Sequence, residues 1–148
     1  LYIVGNGSGS IKAHKTSSRA FADFTLIKTI EGFEMYDTSE AEELDALFQM
    51  DRAINDEAMY ELLSMIDMTS CTDISYMLCQ CDALVDFSFP DSFDTSNVTS
   101  FHSLFASDDL LETVDFSNLD TACTATLISS VKEAIFKSRP SGTLTSLS

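Results

Sequence analysis

The chain has 148 residues, with 24 Asp and Glu against 8 Lys and Arg, a formal net charge of −16. Its length fits one domain, and its 45% hydrophobic content excludes a disordered acidic tail. So acidic a surface repels phosphate backbones and anionic membranes, which argues against nucleic acid or a membrane surface as partner, and no run approaches the ~18 apolar residues of an inserted span.

Leu1 stands where Met would begin a full chain, with no charged-then-apolar leader behind it, so a processed piece or excised domain is expected. Residues 1–20 read as an N-terminal cap. Leu1-Tyr2-Ile3-Val4 and Ile11-Lys12-Ala13 flank Gly5 to Ser10, the pattern of a β-hairpin with a loose tip. Residues 21–120 then carry about four repeat units. Their leading apolar pairs are Phe21/Ile27, Phe48/Ile54, Leu78/Leu84 and Phe105/Leu111, each six residues apart (27 − 21, 54 − 48, 84 − 78, 111 − 105). Asp37, Asp67, Asp94 and Asp120 recur at 30, 27 and 26 residues (67 − 37, 94 − 67, 120 − 94).

Each unit has two halves. After its Asp, apolar residues recur at i, i+3, i+6 and i+7, as in Cys71, Ile74, Met77, Leu78 and again in Val98, Phe101, Leu104, Phe105, which predicts a helix. Asp37-Thr38-Ser39 and Asp94-Thr95-Ser96 are read as the N-caps of these helices. The other half alternates: Phe87-Ser88-Phe89 and Val114-Asp115-Phe116 predict short strands with Leu84, Phe87 and Phe89 inward and Asp86 and Ser88 outward. Met59, Leu62, Leu63 and Ile66 predict a helical insert near 55–66 in the second unit. Leu127, Ile128, Val131, Ile135 and Phe136 predict a C-terminal helical cap over 121–138, followed by a flexible Ser/Thr-rich tail at 139–148. A strand plus a helix in about 26 residues cannot bury its apolar face alone. The expected fold is therefore an α/β, leucine-rich-repeat-like solenoid filling residues 1–138, its core shared between stacked units.

The stretch from Phe87 through Phe93-Asp94-Thr95-Ser96-Asn97-Val98-Thr99 to Leu104-Phe105 resembles the BspA-like leucine-rich repeats, and more narrowly the DUF285 surface-protein repeat. Thr72 to Cys81 is similar to the later part of that repeat, with Cys81 at its Cys position. The likeness spans roughly residues 1–120, with departures at Glu40 to Leu44, at Ala122-Cys123-Thr124, at Pro90-Asp91-Ser92 and at the insert. It implies an extracellular or cell-surface module that binds or adheres, without catalysis.

The residues themselves offer little chemistry. Cys79-Gln-Cys81 lacks zinc-knuckle spacing, and no His stands where it could activate a thiol. Cys71 and Cys123 fall in one slot two units apart, about 20 Å if units stack at ~8–10 Å, too far for a disulfide and better suited to buried thiols. His102 and Ser103 are helix neighbours in this reading and form no dyad. No enzyme is expected. Asn6-Gly7-Ser8 and Asn97-Val98-Thr99 fit the glycosylation sequon, though the second is also the repeat's own opening.

The alignment places Glu31 with Ser88 and Asp115, and Thr29 with Asp86 and Thr113. Glu31, Asp86, Ser88, Glu112, Thr113 and Asp115 are therefore the expected ligand-binding strip, with weak Ca²⁺ binding through hard oxygens as an option and no other cofactor. The alternative is a solvated strand face that keeps the sheet edge from pairing. The partner expected is a protein or host-surface ligand. Copies of the chain itself would be the partner if this is instead a self-assembling subunit of a surface layer, appendage or virion.

Overall fold

Where do the backbone N–H groups of Val98 to Phe105 go? In a computed structural model, which describes residues 1–4 and 9–119, Val98 closes a single turn on the Thr95 carbonyl, while Thr99 and Ser100 donate to the Thr72 carbonyl and His102 to Ser75 Oγ in the preceding coil. Along 74–80, every second N–H donates to the following coil: Ile74 to the Ser100 carbonyl, Tyr76 to His102, Leu78 to Leu104 and Gln80 to Ala106. The same pattern joins 44–50 to 73–79 and 17–23 to 43–49. Each of these rungs bends through two left-handed residues four apart: Arg19 and Asp23, Ala46 and Met50, Tyr76 and Gln80, Ser103 and Ser107. Equivalent places recur at 27, 30 and 27 residues (46 − 19, 76 − 46, 103 − 76).

The helices expected in the repeat units are thus replaced by rungs, and the reason is local. Asp37, Asp67, Asp73 and Asp94 accept N–H bonds from residues two places on (Ser39, Thr69, Ser75, Ser96) at 2.7–3.1 Å. These are turns of the Asx type, not helix caps, and they compete with a helical start. The left-handed residues then rule out a continuous helix. The spacing that imitates a helix still buries its residues: Ile74, Met77, Leu78, Leu104 and Phe105 are all 0% exposed.

Outside the rungs, short parallel strands form. We name β1 (Ile11–Lys12), β2 (Tyr36–Asp37), β3 (Asp86–Ser88) and β4 (Thr113–Asp115). β1 pairs with β2, and β3 with β4 in the register Asp86 to Thr113, Phe87 to Val114 and Ser88 to Asp115. Single bridges (Thr16 to Glu43, Glu43 to Asp73, Asp73 to Ser100) carry the parallel ladder through the coils. The described residues thus make a mixed α/β structure with short strands and one α-helix, α1 (Asp56–Ser64).

Helix α1 forms where Asn55 caps it, its Oδ1 accepting from the Ala58 N–H at 3.2 Å. Asp56 and Glu57 suit the positive end of its dipole, and Met59, Leu62 and Leu63 bury one face. It is not an addition beside a strand. Asp56 lies 27 residues after Thr29 and 30 before Asp86 (56 − 29, 86 − 56), so α1 takes the strand's own place, and the second coil is only three residues longer than its neighbours (30 − 27).

The core runs unbroken from Ala13 to Leu119. Phe21, Phe33 and Phe48 pack at one end with ring centroids 5.2–6.2 Å apart. Phe87, Phe89, Phe93, Phe105 and Phe116 pack at the other.

The N-terminal hairpin is a further correction. Leu1 to Ile3 pairs in parallel with Glu31, through Ile3 N to Glu31 O and Glu31 N to Leu1 O, both at 2.8 Å, while Ile11–Lys12 pairs with β2. Each segment joins the ladder separately, Ile3 packing against the shared core while Ile11 and Lys12 stay exposed. Gly32 permits the close approach. It is left-handed (φ 80°), and a Cβ there would collide with the Ile3 carbonyl oxygen. The expected C-terminal cap (121–138), the tail (139–148), Cys123, Asp120 and Asn6 lie outside the described residues.

Candidate functional site

The β3–β4 pair brings four of the six strip residues together. Asp86 and Asp115 are exposed, and Ser88 and Thr113 half-buried, on the face turned from Phe87 and Val114. Thr113 Oγ1 donates to Asp86 Oδ1 at 2.8 Å, tying the two strands through side chains as well as backbone. Asp115 Oδ1 accepts from the Ser117 N–H at 2.8 Å, which fixes its rotamer. Glu112 precedes β4 and is exposed, and its N–H donates to the Val85 carbonyl at 2.7 Å.

Glu31 does not join them. It pairs with Tyr2 at the start of the chain, and helix α1 stands between it and β3. The strip expected to run through Glu31 is therefore broken at the second coil. Two open grooves result, one on each flank of α1. One, of about 440 Å³, is lined by Lys28, Thr29, Ala53, Asn55, Glu57, Ala58 and Glu61. The other, of about 420 Å³, is lined by Asp56, Glu57, Tyr60, Glu61, Asp86 and Ser88.

Asp56 links the helix to the strip. Its carboxylate accepts from the Val85 N–H at 3.0 Å and the Asp86 N–H at 3.4 Å, doing with a side chain what a strand would do with its carbonyls. Sequence reading missed Asp56, Tyr60 and the grooves. The signal was present: Asp56 is one 27-residue repeat after Thr29, already aligned with Asp86 and Thr113.

The other candidates serve the stack. Cys71, Cys79 and Cys81 are free and buried. Burial pushes the Cys71 thiol up to about 11 and the Cys81 thiol well above its ordinary value, so neither is a ready nucleophile. Cys81 Sγ lies 3.3 Å from the Phe48 carbonyl oxygen. His102 sits edge-on to Tyr76 at 5.3 Å. Asn97 Nδ2 donates to the Thr69 carbonyl at 3.0 Å, a bond between coils. The Ser39 hydroxyl and N–H hold the Asp37 carboxyl down at about 2.

Among the described residues no group of three or more His, Cys, Asp or Glu is placed to hold a metal ion. No described helix is long and apolar enough to cross a membrane. In comparisons with known proteins, no family model, no curated protein and no solved structure matches this chain.

Proposed function

We propose that the chain is a non-catalytic interaction module, working at a cell surface or outside the cell, built as a short repeat solenoid of the BspA-like kind. Its ligand is a protein or other host-surface molecule. It docks on the face made by β3, β4 and the flank of α1, with Asp86, Ser88, Glu112, Thr113 and Asp115 as contact residues. The observation that carries this reading is the fastening of that face. Asp86 is held by Thr113 from the coil after it and by Asp56 from the coil before it. Side chains fixed before binding lose little entropy on binding, so a rigid face gains affinity from few contacts. Weak Ca²⁺ binding by the hard oxygens of the strip as a whole is a secondary option within the same proposal.

The test is capture of extracellular surface proteins by the immobilised chain, with and without Ca²⁺. The charge-reversed pair Asp86→Lys plus Asp115→Lys should lower capture at least about tenfold, since like charges juxtaposed at an interface cost several kcal/mol, while the variant still unfolds in one cooperative transition. Equal capture by both proteins overturns the assignment of the face.

A self-assembling subunit is the second reading. Its support is that five exposed large apolar side chains, Leu1, Tyr2, Val4, Ile11 and Leu26, fall within residues 1–26. It requires association in solution burying over ~1,000 Å² between copies. A monomer at high concentration excludes it.

A further inference from the structure

Four residues hold one equivalent place at the rung ends: Phe24, Asp51, Cys81 and Asp108, at spacings of 27, 30 and 27 (51 − 24, 81 − 51, 108 − 81). The two acids there are fully inside, Asp51 at 0% and Asp108 at 1% exposure. Each reaches back to its counterpart in the preceding coil. The Phe24 N–H donates to Asp51 Oδ1 at 2.9 Å, and the Cys81 N–H to Asp108 Oδ1 at 2.7 Å. The second oxygen of both carboxyls is buried without a hydrogen-bond partner.

No described cation answers these charges. Asp51 faces Asp23 from the first coil and Cys81 from the third. Asp108 faces Asp82, Cys79 and Cys81 from the third coil and its own neighbour Asp109. The nearby guanidinium groups are engaged elsewhere, Arg19 with Asp23 and Arg52 with Asp82. A buried carboxylate among acids and thiols is costly. A buried carboxyl is much less so, and its carbonyl oxygen still accepts the N–H bond.

We propose that Asp51 and Asp108 are proton-held clasps: in neutral form each fastens its coil to the one before, and loss of the proton loosens the first–second and third–fourth coil junctions. Burial, the largest cause, lifts Asp51 to about 7 and Asp108 to about 8, with Asp23 adding to the first and Asp82 and Asp109 to the second. Both values lie above the 3.8 of an ordinary Asp. The clasps' contribution is therefore complete below about pH 4 and is lost as pH rises through about 7 and about 8. Across that window each clasp lowers the folded-to-unfolded ratio about tenfold per pH unit.

Denaturant unfolding of the full chain between about pH 4 and pH 9 tests this, for the wild type, Asp51→Asn, Asp108→Asn, the double variant, and exposed Asp91→Asn as a control for net charge. Asn keeps the acceptor and cannot ionise. At pH 9 the double variant should hold a folded-to-unfolded ratio at least about tenfold above wild type. At about pH 4 the two should agree within about threefold. A double variant with the wild-type pH slope, or an Asp91→Asn control that flattens the slope equally, overturns the proposal. Carboxyl carbon NMR of the wild type does not depend on the variants folding. Two Asp signals titrating above about pH 6 support the clasps, and none doing so refutes them.

Discussion

Rungs 17–24, 44–51, 74–81 and 101–108 share one backbone route, down to the paired left-handed residues, whereas the other stretch of each coil holds β3 and β4 in two coils and a helix in the second. Both stretches face the same demand, that buried N–H and C=O groups find partners. The rungs meet it with bonds from coil to coil, so they place few demands on sequence. Arg, Ala, Tyr and Ser fill one equivalent left-handed place at 19, 46, 76 and 103. The strand stretch has only three paired residues between β3 and β4, so it can be exchanged for a helix that satisfies its own backbone. Variation concentrates there, and so do both grooves.

The sharpest way to break this comparison is to attack the exchanged element. Leu63 is 0% exposed on the inner face of α1, against the shared core. Leu63→Ala should destabilise the chain by about 2–5 kcal/mol, read as the midpoint of denaturant unfolding. A loss under about 1 kcal/mol would mean that α1 merely lies on the stack and does not replace part of it.

How much of this could be read from the residues? The repeat, the inward positions Leu84, Phe87 and Phe89, and a helix near Met59 to Leu63 were legible, because burial leaves a periodic trace whatever the backbone does. The rungs were not. A spacing of i, i+3, i+6 and i+7 arises from a rung with two left-handed bends as readily as from a helix, and none of the eight bends is marked by glycine. The hairpin failed because local pairing competes with a neighbouring coil that only the fold supplies. Of the strip, Asp86 with Thr113 and Ser88 with Asp115 followed from the 27-residue offset, whereas Glu31 dropped out because alignment shows equivalence and not adjacency. Asp51 and Asp108 were not legible at all. Nothing local marks a carboxyl whose burial comes from the coils before and after it.

A middle-sized effect sharpens the seam between helix and strand. Asp56 is the one described side chain in α1 that bonds to the backbone of β3 or of the residue before it. Asp56→Ala should cost about 1–2 kcal/mol, since it strands two amide donors and removes a favourable charge from the first helical turn. Hydrogen exchange at Val85 and Asp86 should quicken while exchange at Val114 holds. Uniform quickening across β3 and β4 would mean that helix and strands open as one unit.

The smallest effect probes the uniform stretch. Ser107 is exposed and left-handed (φ 63°) at the end of rung 101–108, so its side chain contributes strain and no burial. An L-residue in that region costs roughly 1–2 kcal/mol over the right-handed form, a cost glycine avoids, while glycine loses part of the gain to its freer unfolded chain. Ser107→Gly should therefore stabilise the protein by about 0.5–1 kcal/mol, and Ser107→Val should destabilise it, because a β-branched side chain tolerates this backbone least. If valine proves as stable as serine, the rung end relaxes out of the left-handed region at no cost. The shared route of the four rungs would then be a consequence of stacking and not a condition for it.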